Sequence, residues 1–180
     1  MEVYSNVLDM VGRTPMLKAN RLDTGPCELY LKLELANPGG SVKDRIALRM
    51  IEVAEESGQL TPDKTVLEAS SGNTAIGLAM VCSVKGYRLL LTMSEAVSVE
   101  RQKILRARGA DILLTPGHLG TDGAIEEVYR LARENPDTYF LADQFNSEAN
   151  WQAHYEGTAP EIWEQTRGAV ATVVATMATT

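Results

Sequence analysis

The spacing of apolar residues alternates between helical and extended patterns from residue 41 onward. Residues 41–57 carry apolar side chains three and four positions apart, which predicts a helix capped by Ser41 and ended by Gly58. Residues 74–85 are apolar on nearly all sides, as in a buried helix. Residues 98–108 begin acidic and end basic, which complements the dipole of a helix. Shorter helices are predicted over 124–132, 151–155 and 160–163.

Short extended segments lie between these helices. Strands are predicted at 65–69, 87–92, 111–115, 138–141 and, because of its β-branched residues, 170–175. Strands separated by single helices form βαβ units, whose sheets are mostly parallel. We therefore expect an α/β fold: an open, mostly parallel twisted sheet with helices on both faces. Residues 28–35 alternate polar and apolar positions, which predicts a half-buried strand outside this pattern.

Composition limits the class of protein. The 180 residues have a net charge of −7, which argues against a nucleic-acid partner because such proteins need a basic face. No apolar run is long enough to span a bilayer, and no signal peptide is recognised at the start. We expect a soluble cytoplasmic protein in which Cys27 and Cys82 are reduced, packed thiols.

Two segments carry candidate chemistry, and the first is the loop 69–74. It holds Ser70, Ser71, Gly72 and Asn73 between a predicted strand and a buried helix. Small hydroxyl side chains and free N–H groups at a helix N-terminus can bind a carboxylate or a phosphate. An ordinary capped turn uses the same residue types, so the loop alone leaves both interpretations open.

The second segment, residues 37–45, places Lys43 in the first turn of a helix after two glycines. The positive end of the helix dipole disfavours an ammonium group there, and a neutral amine can form a Schiff base. A solvated lysine is the simpler interpretation of the same position. The glycine and lysine spacing of a phosphate-binding P-loop is absent. His118 and His154 stand in no cluster of metal ligands, so we predict no metal site and no catalytic histidine.

In order along the chain, these segments resemble the cysteine synthase and cystathionine β-synthase family of pyridoxal-phosphate (PLP) enzymes. The similarity includes Val11-Gly12-Arg13-Thr14-Pro15-Met16, the lysine segment from Asn37 to Arg45 and the loop from Ser70 to Thr74. It continues through Asp143-Gln144-Phe145-Asn146 and Pro160-Glu161-Ile162-Trp163. Met177-Ala178-Thr179-Thr180 resembles the start of the family's phosphate-binding loop in its cysteine synthase B form.

The resemblance implies roles for individual residues. Lys43 would form the Schiff base with PLP and move the α-proton of the substrate, and Asn73 would bind the phenolic oxygen of the cofactor. Thr179 and Thr180 would contact the cofactor phosphate. The substrate would be held by Ser70, Ser71, Gly72, Thr74 and Gln144. The implied reaction is β-replacement on an O-activated serine by sulfide or another thiol, as in L-cysteine biosynthesis. The resemblance also implies a homodimer.

The family pattern also leaves alternatives. Thr74 stands where related serine and threonine dehydratases usually have histidine, which favours β-replacement over β-elimination. Family members are longer, so residues 41–145 are expected to form the smaller domain, and residues 1–40 and 146–180 an incomplete part of the larger one. A truncated, non-catalytic fragment or binding module of the same fold is the second interpretation. It predicts an exposed apolar patch that includes Trp151, Trp163 and the predicted strand at 170–175.

Overall fold

A four-stranded parallel sheet forms the centre of the computed structural model, which describes residues 3–176. The strands are β1 (Met16–Lys18), β2 (Tyr30–Lys32), β3 (Thr65–Ala69), β4 (Arg88–Ser94), β5 (Asp111–Thr115) and β6 (Tyr139–Leu141). The helices are α1 (Lys43–Glu56), α2 (Asn73–Lys85), α3 (Val99–Ala107), α4 (Gly120–Glu134), α5 (Glu148–Ala153) and α6 (Ala159–Gln165). Strands β1 and β2 form a separate antiparallel pair.

The order of the central sheet, β5-β4-β3-β6, contains one reversal. The chain moves outward from β3 through β4 to β5, and then returns to the other side of β3 as β6. All four strands are parallel, so the carboxyl ends of β3 and β6 lie side by side at one edge of the sheet. In open α/β sheets this point of reversal is the usual position of a ligand.

Helices cover both faces of the sheet, as predicted. Successive side chains of a strand point to opposite faces, and Val66 of β3 belongs to the core beneath α1 and α2. Its neighbour Leu67 packs with Ala124 and Val128 of α4 on the other face. The α/β prediction is therefore confirmed, and the largest buried side chains lie on the α1–α2 side.

Several boundaries differ from those predicted. Residues 170–175 form no strand, and Val174 is 94% exposed, because no neighbouring backbone pairs with this segment. The predicted strand 28–35 is reduced to Tyr30–Lys32, and Tyr30 is exposed.

The predicted packing of Cys27 is wrong, since this thiol is exposed, while Cys82 is buried as expected. No helix among residues 3–176 is long and apolar enough to cross a membrane.

Candidate active site

The first turns of α1 and α2 lie against each other at the reversal of strand order. A Cβ atom on Gly77 of α2 would lie 3.1 Å from the carbonyl oxygen of Lys43. At the far end of the pair, Nζ of Lys85 donates to Glu55 at 2.7 Å, so the two helices run parallel. Lys43 and Asn73, the first residues of the two helices, therefore share one end of the helix pair.

Lys43 is half-buried and opens α1. Its backbone N–H donates to Oγ of Ser41 at 3.1 Å, so Ser41 caps the turn from two residues away while Val42 is the N-cap residue. Within residues 3–176, no hydrogen bond or ion pair engages Nζ of Lys43. The pKa of His154 is lowered, first by burial and then by the positive charges of Lys43 and Arg45. An amine without a partner in a half-buried turn is suited to covalent attachment of a carbonyl group.

The loop 70–72 joins the carboxyl end of β3 to α2. Ser70, Ser71 and Gly72 are half-buried, while Asn73 is exposed and Thr74 is buried. Gly72 is the N-cap residue and offers no side-chain cap. The N–H groups of the first turn of this 13-residue helix are thus without the usual capping side chain, which suits a carboxylate or phosphate ligand.

Gln144 reaches the same loop from the other strand of the reversal. The pairing of β3 with β6 continues through the Ala142 N–H, which donates to the carbonyl of Leu67 at 3.0 Å. Two residues later, the Thr74 hydroxyl donates to Oε1 of Gln144 at 2.7 Å. The fold therefore brings together two predicted substrate-binding residues that are 70 positions apart in the chain.

A strained turn holds Gln144 in place. Asp143 has φ +47°, a conformation that aspartate adopts more readily than most residues and that clusters at functional sites. Its carboxylate accepts the Tyr129 hydroxyl at 2.9 Å and Nδ2 of Asn146 at 3.0 Å. The side chain of Asn150 donates to the carbonyl of Gln144 at 2.7 Å, so both sides of the turn are anchored.

Glu68 of β3 lies beneath the loop, and sequence reasoning assigned it no role. Its side chain is 2% exposed, and its carboxylate accepts the Gln144 N–H at 3.2 Å and Nε2 of Gln144 at 3.1 Å. Burial raises the pKa of Glu68 to about 7, although these two hydrogen bonds oppose the shift. The sequence feature that could have indicated Glu68 is its position as the single charged residue of the predicted strand directly before the loop.

A second charged cluster ties α1 to the first 40 residues and to α6. The guanidinium of Arg45 donates to Glu34 at 2.7 and 2.8 Å and to Glu161 at 2.7 and 2.8 Å. Lys32 donates to Glu161 at 2.6 Å. Burial opposes ionisation of Glu161, but hydrogen bonds from Arg45 and Lys32 lower its pKa to about 2. Arg45 is 6% exposed, so it is a structural residue and not the solvated side chain that a helix start suggests.

The remaining candidate residues lie elsewhere. Thr179 and Thr180 are outside the residues that the structure describes. His118 is exposed, and Nδ1 of His154 lies 3.0 Å from the Thr158 hydroxyl in a short π-helix, His154–Thr158. Among residues 3–176, no group of three or more His, Cys, Asp or Glu side chains is arranged to hold a metal ion.

Replacing Gly77 with alanine is expected to lower the free energy of unfolding by about 1–3 kcal/mol, as overpacking typically does. The added Cβ would lie 2.9 Å from Cβ of Ala47 and 3.1 Å from the Lys43 carbonyl oxygen, so α1 must shift. Urea unfolding followed by circular dichroism measures the change. Ser83→Ala, at an exposed site on the same helix, is the control and should change stability by no more than about 0.5 kcal/mol. Equal midpoints for Gly77→Ala and the wild type would show that the two helices are not held in this close contact.

The sequence matches one family model and is similar to several known enzymes. Residues 7–180 match the family model described as "Pyridoxal-phosphate dependent enzyme". The chain is 50% identical over 159 residues to a cysteine synthase of a Flavobacterium species, across 88% of this chain and 52% of that protein. The chain spans about half the length of the curated relatives it matches.

Solved structures agree with this match. A cysteine synthase of Entamoeba histolytica superposes with a TM-score of 0.89 at 41% identity, covering 94% of this chain and 51% of that one. An O-ureido-L-serine synthase superposes with a TM-score of 0.85 at 42% identity, covering 93% of this chain and 52% of that one. The superpositions thus extend over nearly all of this chain and about half of each solved chain.

Proposed function

Because the chain belongs to the family of pyridoxal-phosphate dependent enzymes, we propose that it serves β-replacement on an O-activated serine, with sulfide or another thiol as the nucleophile. The observation that carries this proposal is the meeting of three segments at the reversal of strand order. These are the Lys43 turn, the loop 70–74 and Gln144. The names of the relatives support the same reaction class.

The residues present fit a PLP cofactor. Nζ of Lys43 is available for the covalent bond with the cofactor. Asn73 is exposed and begins α2, at the same end of the α1–α2 pair as Lys43. When bound, PLP supplies the electron sink for chemistry at the substrate α-carbon. Thr179 and Thr180 remain proposed phosphate contacts on the basis of family resemblance.

The chain's own groups bind and orient the substrate. The N–H groups at the start of α2 and the Ser70 and Ser71 hydroxyls would hold the α-carboxylate, and the N-terminal dipole of α2 favours that negative charge. Nε2 of Gln144 would add a further donor. Nζ of Lys43 would take the proton from the α-carbon, which is general base catalysis by a positioned amine.

The wider assembly stays a proposal as well. We propose a cytoplasmic homodimer, with residues 41–145 as the smaller domain and residues 1–40 and 146–180 as part of a larger one. Trp151, Tyr155 and Trp163 are 56%, 72% and 59% exposed, respectively. This exposure is also what the truncated-fragment interpretation predicts, and it supports the proposal that a further surface covers these side chains.

Incubating the purified chain with PLP, O-acetylserine and sulfide is expected to yield cysteine and acetate. Chromatography with mass detection would quantify cysteine, and a coupled assay would quantify pyruvate. Thr74, which donates to Gln144 at 2.7 Å, stands where dehydratases usually have histidine, and that difference in residue type supports replacement over elimination. Pyruvate as the main product with sulfide present would instead assign the chain to the β-eliminases, and the absence of both products would contradict the proposal for this chain.

A further inference from the structure

Gln144 can serve as a donor to a ligand only if its carboxamide has one particular orientation. A carboxamide has an acceptor end and a donor end of nearly the same shape, so its neighbours must select between two orientations. The Thr74 hydroxyl touches one end, but a hydroxyl can donate or accept and therefore fits either. Thr74 alone cannot select the orientation.

The carboxylate of Glu68 selects between the two orientations of the Gln144 carboxamide. An ionised carboxylate only accepts hydrogen bonds, and its two oxygens separately receive the backbone N–H and Nε2 of Gln144. While Glu68 is ionised, Nε2 therefore faces Glu68 and Oε1 faces the Thr74 hydroxyl at 2.7 Å. Burial raises the pKa of Glu68 to about 7, so the measurements below belong above that pH. Nε2 carries a second hydrogen that Glu68 does not use.

We propose that Glu68 is a positioning residue that fixes the Gln144 carboxamide so that Nε2 donates to the α-carboxylate of the substrate. The inference rests on the proposed function, because that function supplies the carboxylate. Glu68 itself touches neither substrate nor cofactor in this account. It acts through Gln144, across the β3–β6 pairing.

Glu68→Gln is the decisive variant because it keeps the shape and removes one acceptor. The new side chain could accept only one of the two Gln144 donors, and its own NH₂ would face the other. With glutamine-labelled protein, we expect the Gln144 side-chain NMR signals to move in this variant. Glu126→Gln on the exposed side of α4 is the matched control and should leave those signals unchanged.

Ligand binding provides the second measurement. In wild-type chain with PLP, adding O-acetylserine should shift the Nε2 signal of Gln144. In Glu68→Gln, the half-saturating O-acetylserine concentration should rise about tenfold, as loss of a hydrogen bond to a charged group predicts. If Glu68→Gln does not fold, Glu68→Asp keeps both acceptors at shorter reach and is expected to show a smaller rise.

The outcomes separate the inference from the proposed function. A PLP absorption band that responds to O-acetylserine, with Gln144 signals that ignore the ligand, would overturn the inference and leave the function standing. Gln144 signals that move in Glu68→Gln without a change in half-saturation would reduce Glu68 to a structural role, which also overturns it. A missing PLP band would contradict the function; Gln144 signals that still respond to both ligand and variant would then support only the orientation of the Gln144 carboxamide by Glu68.

Discussion

Replacing Arg45 with alanine is expected to lower the free energy of unfolding by about 3–5 kcal/mol, as breaking a buried ion pair does. The guanidinium of Arg45 makes four hydrogen bonds of 2.7–2.8 Å to Glu34 and Glu161. Alanine would leave both carboxylates partly buried without their main cation. Because Glu34 precedes α1 and Glu161 belongs to α6, the loss would also loosen the contacts of α1 with the preceding segment and with α6.

A urea titration measures this change, and Arg130→Ala is the matched control. Arg130 also bridges two carboxylates, Glu127 and Glu134, but its side chain is 45% exposed. Exposed ion pairs on helices contribute about 0.3–0.5 kcal/mol each, so the control should change stability little. Equal losses in the two variants would contradict the view that burial makes the Arg45 cluster important.

Replacing Lys43 with alanine is expected to reduce cysteine formation from O-acetylserine and sulfide by at least a factor of about 10²–10⁴, the usual contribution of a positioned general base. Loss of the covalent attachment point for PLP would add to this reduction. The stability of the fold should change by no more than about 0.5 kcal/mol, because Nζ of Lys43 has no protein partner among residues 3–176. Initial rates and urea midpoints together measure the two effects.

Lys103→Ala is the control for this variant, since Lys103 is an exposed lysine in the interior of α3. It should keep wild-type rates. A Lys43→Ala protein that retains more than about a tenth of the wild-type rate would show that another group removes the α-proton. A large drop in its unfolding free energy would instead show that Lys43 acts through the fold.

The α/β class could be predicted because each helix and each strand leaves its own pattern of apolar residues in a short stretch of the sequence. The segments 65–69 and 111–115 coincide with β3 and β5, and the predicted helices are found with shifts at their ends. The strand predicted at residues 170–175 is absent because a segment with high strand propensity forms a strand only where another strand is available for pairing. Local composition does not report that partner.

Single residues of the site were harder to predict than its loops. The segments 37–45 and 69–74 are contiguous in the sequence and carry recognisable motifs. The Glu68–Gln144–Thr74 chain of hydrogen bonds depends on β6 returning beside β3, which no local pattern encodes. The same reason applies to Arg45, whose partner Glu161 is 116 residues away.

The visible absorption spectrum of the purified chain after addition of PLP, compared with that of the Lys43→Ala variant, tests most directly whether Lys43 binds the cofactor. We expect the absorption band of lysine-bound PLP in the wild type, its absence in the variant, and a shift of the band when O-acetylserine is added. A wild-type spectrum identical to that of Lys43→Ala, with or without O-acetylserine, would contradict the assignment of Lys43 as the cofactor lysine of this chain.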